Sequence, residues 1–155
     1  SQLSGIVERD HSTPAHFAVI GAGPTGVEFA AELRDFIEQD GPRYYPHLLK
    51  YVKVKVIEAT PVILRPFDVS LREAAVEALT HQVMSRDPAI ASLFPKELTE
   101  LVINKKVEEV TADTIRLADG TDIPFGLAVW AGGIGPLPIT LNVIDAIGGR
   151  QFEAQ

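Results

Sequence analysis

The chain alternates between short apolar runs and longer stretches in which apolar residues recur every three or four positions. His16-Phe17-Ala18-Val19-Ile20 has the length and uniformity of a strand buried on both faces. It leads directly into Gly21-Ala22-Gly23-Pro24-Thr25-Gly26, after which the period becomes helical. Gly26, Phe29, Ala30, Leu33, Phe36 and Ile37 form a stripe, with Glu28, Glu32, Arg34, Asp35 and Glu38 mostly off it. Pro24 suits a first helical turn, where its missing N–H is no loss, and Asp40-Gly41-Pro42 reads as the stop. A second strand follows from Val52, ends at Glu58 and is broken by Ala59-Thr60-Pro61. Its Lys53 and Lys55 require one face of its beginning to be wet, or covered by the insert from Gly41 to Tyr51.

Further along, Ser70-Leu71-Arg72-Glu73 has capping-box spacing, and Leu71, Ala74, Ala75, Ala78 and Leu79 make a second helical stripe. Arg86 to Pro95 reads as a loop with a short helix. Leu98 to Val110 is strand-like, Thr114 to Leu117 follows, and Asp119-Gly120 marks a hairpin turn into Asp122 to Phe125. Leu127 to Ala131 is a last apolar strand that empties into Gly132-Gly133, and its Trp130, like Phe17 in the first strand, is expected in the core. These elements predict an α/β fold: a Rossmann-like open parallel sheet with helices on its faces and an antiparallel β-meander.

Composition narrows the chemistry. The 155 residues carry a formal charge of -7 and no cysteine. That excludes dithiol redox chemistry and thiolate metal sites, and it argues against a nucleic-acid partner, whose phosphates need a dense basic surface. His11, His16, His47 and His81 lack metal-ligand spacing, so no metal site is expected. The informative segment is the glycine turn between strand and helix. The first glycine, Gly21, permits a tight turn, Gly23 lets backbone approach a pyrophosphate, and Gly26 allows close packing of helix on strand. The first helical N–H groups and the helix dipole then face the phosphates. Glu58 lies 32 residues beyond Gly26, against a usual spacing of about 20, the excess being the Gly41 to Tyr51 insert. Its carboxylate can accept from ribose hydroxyls. A 2′-phosphate within about 4 Å would be repelled by several kcal/mol before screening, at an effective dielectric near 20. Ala59, Thr60 and Pro61 supply no cation, Lys55 points to the opposite face, and Arg65 is the one expected rescuer. The preference expected is therefore NADH over NADPH.

The run VIGAGPTGVEFAAELRDF (Val19 to Phe36), the strand ending in Glu58, the meander before Pro124-Phe125-Gly126 and AVWAGGIGPLP (Ala128 to Pro138) together resemble the NADH-binding domain of two-dinucleotide-domain flavoprotein oxidoreductases. Within that superfamily the residues after Gly26, with the Tyr- and Pro-containing insert, resemble type II NADH:quinone oxidoreductases, the non-pumping alternative NADH dehydrogenases. The resemblance implies residues 15–140 as the NADH-binding domain, 1–14 as a leader and 141–155 as a connector towards an FAD-binding segment. FAD belongs to the full-length parent rather than to these residues, because one fingerprint is present and not two, so the chain alone is expected to be inactive.

The resemblance also assigns residues. Gly21, Ala22, Gly23, Pro24, Thr25 and Gly26 would hold the pyrophosphate, Glu58 the adenosine ribose, and Ala131, Gly132 and Gly133 the nicotinamide end. Glu28 matches a glutamate near nicotinamide and flavin that tunes hydride transfer; the competing reading is a first-turn acid facing the helix dipole. Tyr44 and Tyr45 are expected to pack on their own domain rather than on the adenine. FAD and quinone would be engaged through other segments of a parent peripheral to a membrane, the mitochondrial inner membrane first and the bacterial cytoplasmic membrane as the alternative, with a homodimer admitted. The rival from another class is a free-standing dinucleotide-binding regulatory module without catalysis.

Overall fold

Strand β1 (Ala15–Ile20) lies parallel between β2 (Val52–Ile57) and β7 (Leu127–Trp130), with β3 (Thr99–Val102) parallel to β2 at the edge, giving the order β3-β2-β1-β7. The computed structural model describes residues 15–133 and Ile139; the leader expected at 1–14 and the connector at 141–155 lie outside the described residues.

Strand alternation sorts the side chains into two layers. Phe17, Val19, Val54 and Val56 face helices α1 (Pro24–Tyr44) and α2 (Val69–Thr80), in one core with Ala30, Ile37 and Leu79. On the other face Ala18, Ile20 and Ile57 meet Ile115, Leu117 and Ile123 of an antiparallel sheet, β4 (Val107–Val110), β5 (Thr114–Leu117) and β6 (Asp122–Pro124). Full burial of each of these isoleucine and leucine side chains contributes roughly 1.5–3 kcal/mol, enough together to hold a meander that three short strands could not sustain alone. The fold class is the predicted one. The two long helices share one face, and the meander covers the other.

That cover ends partway along β2. Lys53 and Lys55, on the meander side, stay half-exposed and reach Glu100 of β3 at 3.9 and 3.3 Å, so the beginning of the strand is wet, as its lysines require. His16 ties the layers: its Nδ1 lies 3.0 Å from the Pro124 carbonyl oxygen, and its own carbonyl accepts from Gly126 N–H at 2.8 Å.

Several sequence expectations need correction. Helix α1 does not stop at Asp40-Gly41-Pro42 but runs to Tyr44, where Tyr45 N–H donates to the Gly41 carbonyl. Gly41 lets the helix pack closely: a Cβ there would lie 2.6 Å from Leu49 Cδ2, and the missing N–H of Pro42 falls within the last turn. The buried line of α1 is Gly26, Ala30, Arg34, Ile37 and Gly41, whereas Phe29 and Phe36 are exposed. The cap of α2 is Asp68, not Ser70; its carboxylate accepts from Leu71 N–H at 3.0 Å and from the Ser70 hydroxyl at 2.7 Å. Of the α2 stripe Leu79 is buried and Ala75 half-buried, while Leu71, Ala74 and Ala78 are exposed. The stretch from Leu98 to Val110 is two strands in different sheets, parted at Asn104, which has a φ of 56°. The short helix expected within Arg86 to Pro95 is α3 (Pro88–Ala91), and the Asp119-Gly120 turn is present with Gly120 at φ 84°.

Candidate functional site

The carboxyl ends of β2, β1 and β7 stand side by side, so the residues that follow each strand form one edge. Gly21 leaves β1 with a φ of 103°, a conformation that favours glycine, and its N–H donates to the Ile57 carbonyl at 2.8 Å. A Cβ on Gly21 would lie 2.7 Å from Ala131 C and O and from Gly132 Cα, so the turn is pressed against the end of β7. A Cβ on Gly26 would overlap the Gly21 carbonyl oxygen. Gly23 differs from both: its φ is -73° and a Cβ there would meet nothing within 4 Å. The fold requires glycine at 21 and 26 and does not require it at 23.

Gly23 is the N-cap of α1, with no side chain capping it, and Val27 N–H makes an early helical bond to its carbonyl at 3.0 Å. Among the described residues the N–H groups of Thr25 and Gly26 are thus left for an outside acceptor at the positive end of a 21-residue helix. Pro24 and Thr25 are exposed beside them.

Glu58 follows β2 and holds this turn in shape. Its Oε2 accepts from Ala22 N–H at 2.8 Å and its Oε1 from Thr60 N–H at 2.9 Å. Partial burial alone would raise its pKa, but the Ala22 and Thr60 donors outweigh that and hold the carboxyl below its ordinary 4.5. Each oxygen retains a lone pair for a further donor. Ala22 is pinned from its other side too, since its carbonyl accepts from Leu64 N–H at 2.8 Å, and Leu64 takes a strained φ of 48° there. Sequence reasoning missed Leu64, because nothing in the last apolar residue of Val62-Ile63-Leu64 announces a left-handed turn.

A cavity of about 250 Å³ opens along this edge between Gly21, Glu58, Lys105, Lys106, Trp130 and Gly132. The two lysines correct the expectation that Arg65 alone could bring a positive charge near Glu58. Asn104 N–H donates to the Thr60 carbonyl and Lys105 N–H to the Glu58 carbonyl, both at 2.9 Å, so the β3–β4 connection folds over the end of β2 and brings its lysines with it. Lys105 is engaged by Asp119, whose carboxyl the hydrogen bond from Lys105 and the Thr121 N–H hold down to about 2. Among the described residues Lys106 makes no ion pair.

Trp130 is also a correction: it is 61% exposed rather than in the core, whereas Phe17 is buried. Its parity places it on the meander face, at the point where β7 runs past the meander. Gly132 and Gly133 follow it, exposed, with Ala131 half-buried and its N–H donating to the Ile20 carbonyl at 2.7 Å. Glu28 is exposed in the second turn of α1, which removes the first-turn reading, because that turn holds no acid. Tyr44 and Tyr45 sit at the far end of α1, about 30 Å from the glycine turn, with Tyr45 packed on the core. A larger apolar groove of about 500 Å³, between α2 and β3, shares no residue with the glycine turn. Among the described residues no group of three His, Asp or Glu is placed to hold a metal, and no helix is long and apolar enough to cross a membrane.

A parallel sheet whose first strand turns through glycines into a helix, with an acid after the next strand, is the architecture of a dinucleotide-binding α/β domain. Comparison with known proteins agrees: the family described as pyridine nucleotide-disulphide oxidoreductase matches residues 7–148, and the chain belongs to it. It is 37% identical over 145 residues to the mitochondrial internal alternative NAD(P)H-ubiquinone oxidoreductase A1 of Solanum tuberosum, covering 94% of this chain and 26% of that protein. It is 39% identical over 135 residues to the mitochondrial external NADH-ubiquinone oxidoreductase 2 of Saccharomyces cerevisiae, covering 84% and 22%. The chain thus spans about a quarter of the length of the curated relatives it matches. Its fold is similar to that of NDH2 from Plasmodium falciparum, solved in complex with NADH, with a TM-score of 0.67 at 21% identity over 91% of this chain and 30% of that one.

Proposed function

We propose that this chain binds NADH across the carboxyl edge of its parallel sheet, with the adenosine ribose at Glu58, the pyrophosphate over Gly21 to Gly26 and the nicotinamide beyond β7 at Ala131 to Gly133. In the full-length protein the hydride passes to FAD held by other segments, and the reduced flavin reduces a quinone. Hydride chemistry belongs to the cofactors, while these residues supply placement and electrostatics. The observation that carries the reading is Gly23, a glycine with neither positive φ nor a crowding neighbour, next to free helical N–H groups and a carboxylate with unused lone pairs. The relatives' names support a quinone as electron acceptor and a mitochondrial setting; a peripheral position on the inner membrane and a homodimeric parent are part of the proposal and rest on neither name.

The same reading gives the cofactor preference. A 2′-phosphate beside half-exposed Glu58 meets a screened repulsion of about 2 kcal/mol, at about 1 kcal/mol per charge pair in water, and Lys106 offsets part of it. NADH is therefore preferred by about tenfold, a smaller margin than a site without cations would give. Calorimetric titration of NADH and NADPH on wild type and Glu58→Ser tests this. The variant should lose the discrimination; a wild type that prefers NADPH, or a variant that discriminates as before, would sink the assignment.

A further inference from the structure

Trp130 is largely exposed at the end of β7, so core packing does not explain a tryptophan there. Its indole is nonetheless held in place. Nε1–H donates to the Gly133 carbonyl at 3.0 Å, and the ring lies against Gly132, where a Cβ would sit 3.4 Å from Cε2 and Cζ2. From the other side the Gly21 turn presses on Ala131 and Gly132, its absent Cβ leaving 2.7 Å to their backbone. Residues 131–133 are thus gripped between the glycine turn and the indole, with Gly133 at a φ of 90°. Two successive glycines have the largest conformational freedom the backbone can offer, and the indole hydrogen bond removes much of it.

We propose that Trp130 is a positioning residue for the nicotinamide end of the dinucleotide, acting through the backbone of Gly132 and Gly133. This rests on the site order proposed above. Along the edge, Glu58 follows β2, the glycine turn follows β1 and Gly132 follows β7, so a dinucleotide with its ribose at Glu58 and its pyrophosphate at the turn places its last ring beside the segment Trp130 latches. An ordered segment presents backbone donors and acceptors already in position, and affinity gained that way is lost when the latch is cut.

The test separates the two ends of the ligand. ADP-ribose keeps the adenosine and pyrophosphate and lacks the nicotinamide, whereas NAD+ carries all three. In the full-length protein, Trp130→Phe retains an aromatic face on Gly132 and loses the N–H, so calorimetry should show NAD+ affinity falling about fivefold, the worth of one hydrogen bond, with ADP-ribose affinity unchanged. Trp130→Ala should widen that ratio. If both ligands weaken in proportion, the role is merely structural and the inference fails; it fails equally if neither changes. A wild type that binds neither ligand would overturn the site reading itself, and the inference with it.

Discussion

Glu58 both shapes the glycine turn and faces the cavity, and its chemistry can be followed by pH. Burial alone would raise its pKa, but the Ala22 and Thr60 N–H groups outweigh it and depress the folded value below 4.5. A depressed carboxyl adds stability that is fully present above its unfolded pKa and is lost as pH falls through the folded one. Denaturant melts of wild type and Glu58→Gln should therefore differ by a constant amount from about pH 7 to 5 and converge as pH falls below 4.5. A gap that stays open in acid would show that the charge is not what holds Ala22. Glu28 is the other residue with a distinct assignment, since its exposed carboxylate has no structural partner among the described residues. If it orients the nicotinamide, Glu28→Ala in the full-length protein should slow flavin reduction by NADH about tenfold or more while binding weakens less, because the loss falls on the transition state. Stopped-flow rates equal to wild type would leave Glu28 as a surface residue. Neither Lys105 nor Lys106 was legible beside Glu58, because their approach depends on the turn at Asn104 and not on any local pattern.

Among the elements, the joint between α1 and α2 depends on a residue that periodicity assigned to the polar side. Arg34 is buried and donates to the Leu79 and His81 carbonyls at 2.6 Å each and to Thr99 Oγ1 at 3.4 Å, so one guanidinium closes the carboxyl end of α2. Its Nε also lies 2.6 Å from Glu38 Oε1, out of line for a hydrogen bond and so an ionic contact only. Replacement by methionine keeps most of the volume and leaves these acceptors without a donor. Chemical denaturation of Arg34→Met should show a loss of about 2–4 kcal/mol with the binding edge intact, and a loss under about 0.5 kcal/mol would contradict the capping role. Strands β1, β2, β5, β6 and β7, the glycine turn and the hairpin at Gly120 were legible because each depends on neighbouring residues, whereas the break at Asn104 that parts β3 from β4 was not. The stop of α1 was misplaced because a tertiary contact, Leu49 against Gly41, decided it, and the cap of α2 because an aspartate two residues before the serine that fitted the motif makes the local capping bond to Leu71 N–H instead.

For the whole molecule, the three layers serve one edge. Helices and meander bury the two faces of the sheet and leave the carboxyl ends of β2, β1 and β7 open, where Glu58, the glycine turn and Gly132 meet. The strand order could be anticipated from the fold class, whereas the exposure of Trp130 could not, because it depends on where the meander stops. The central claim is that this edge is built for a dinucleotide, and Gly23 isolates it from stability. Gly23→Ala adds a methyl group to open space at an ordinary φ, while Gly26→Ala drives one into the Gly21 carbonyl and should lower stability by about 1–3 kcal/mol or more. The direct measurement is the NADH affinity and melting temperature of Gly23→Ala against wild type. The account predicts a melting temperature within about 2 °C of wild type and NADH binding weakened at least about tenfold, since the methyl group would stand where the pyrophosphate must approach. Unchanged NADH affinity in a fully folded Gly23→Ala protein would contradict it.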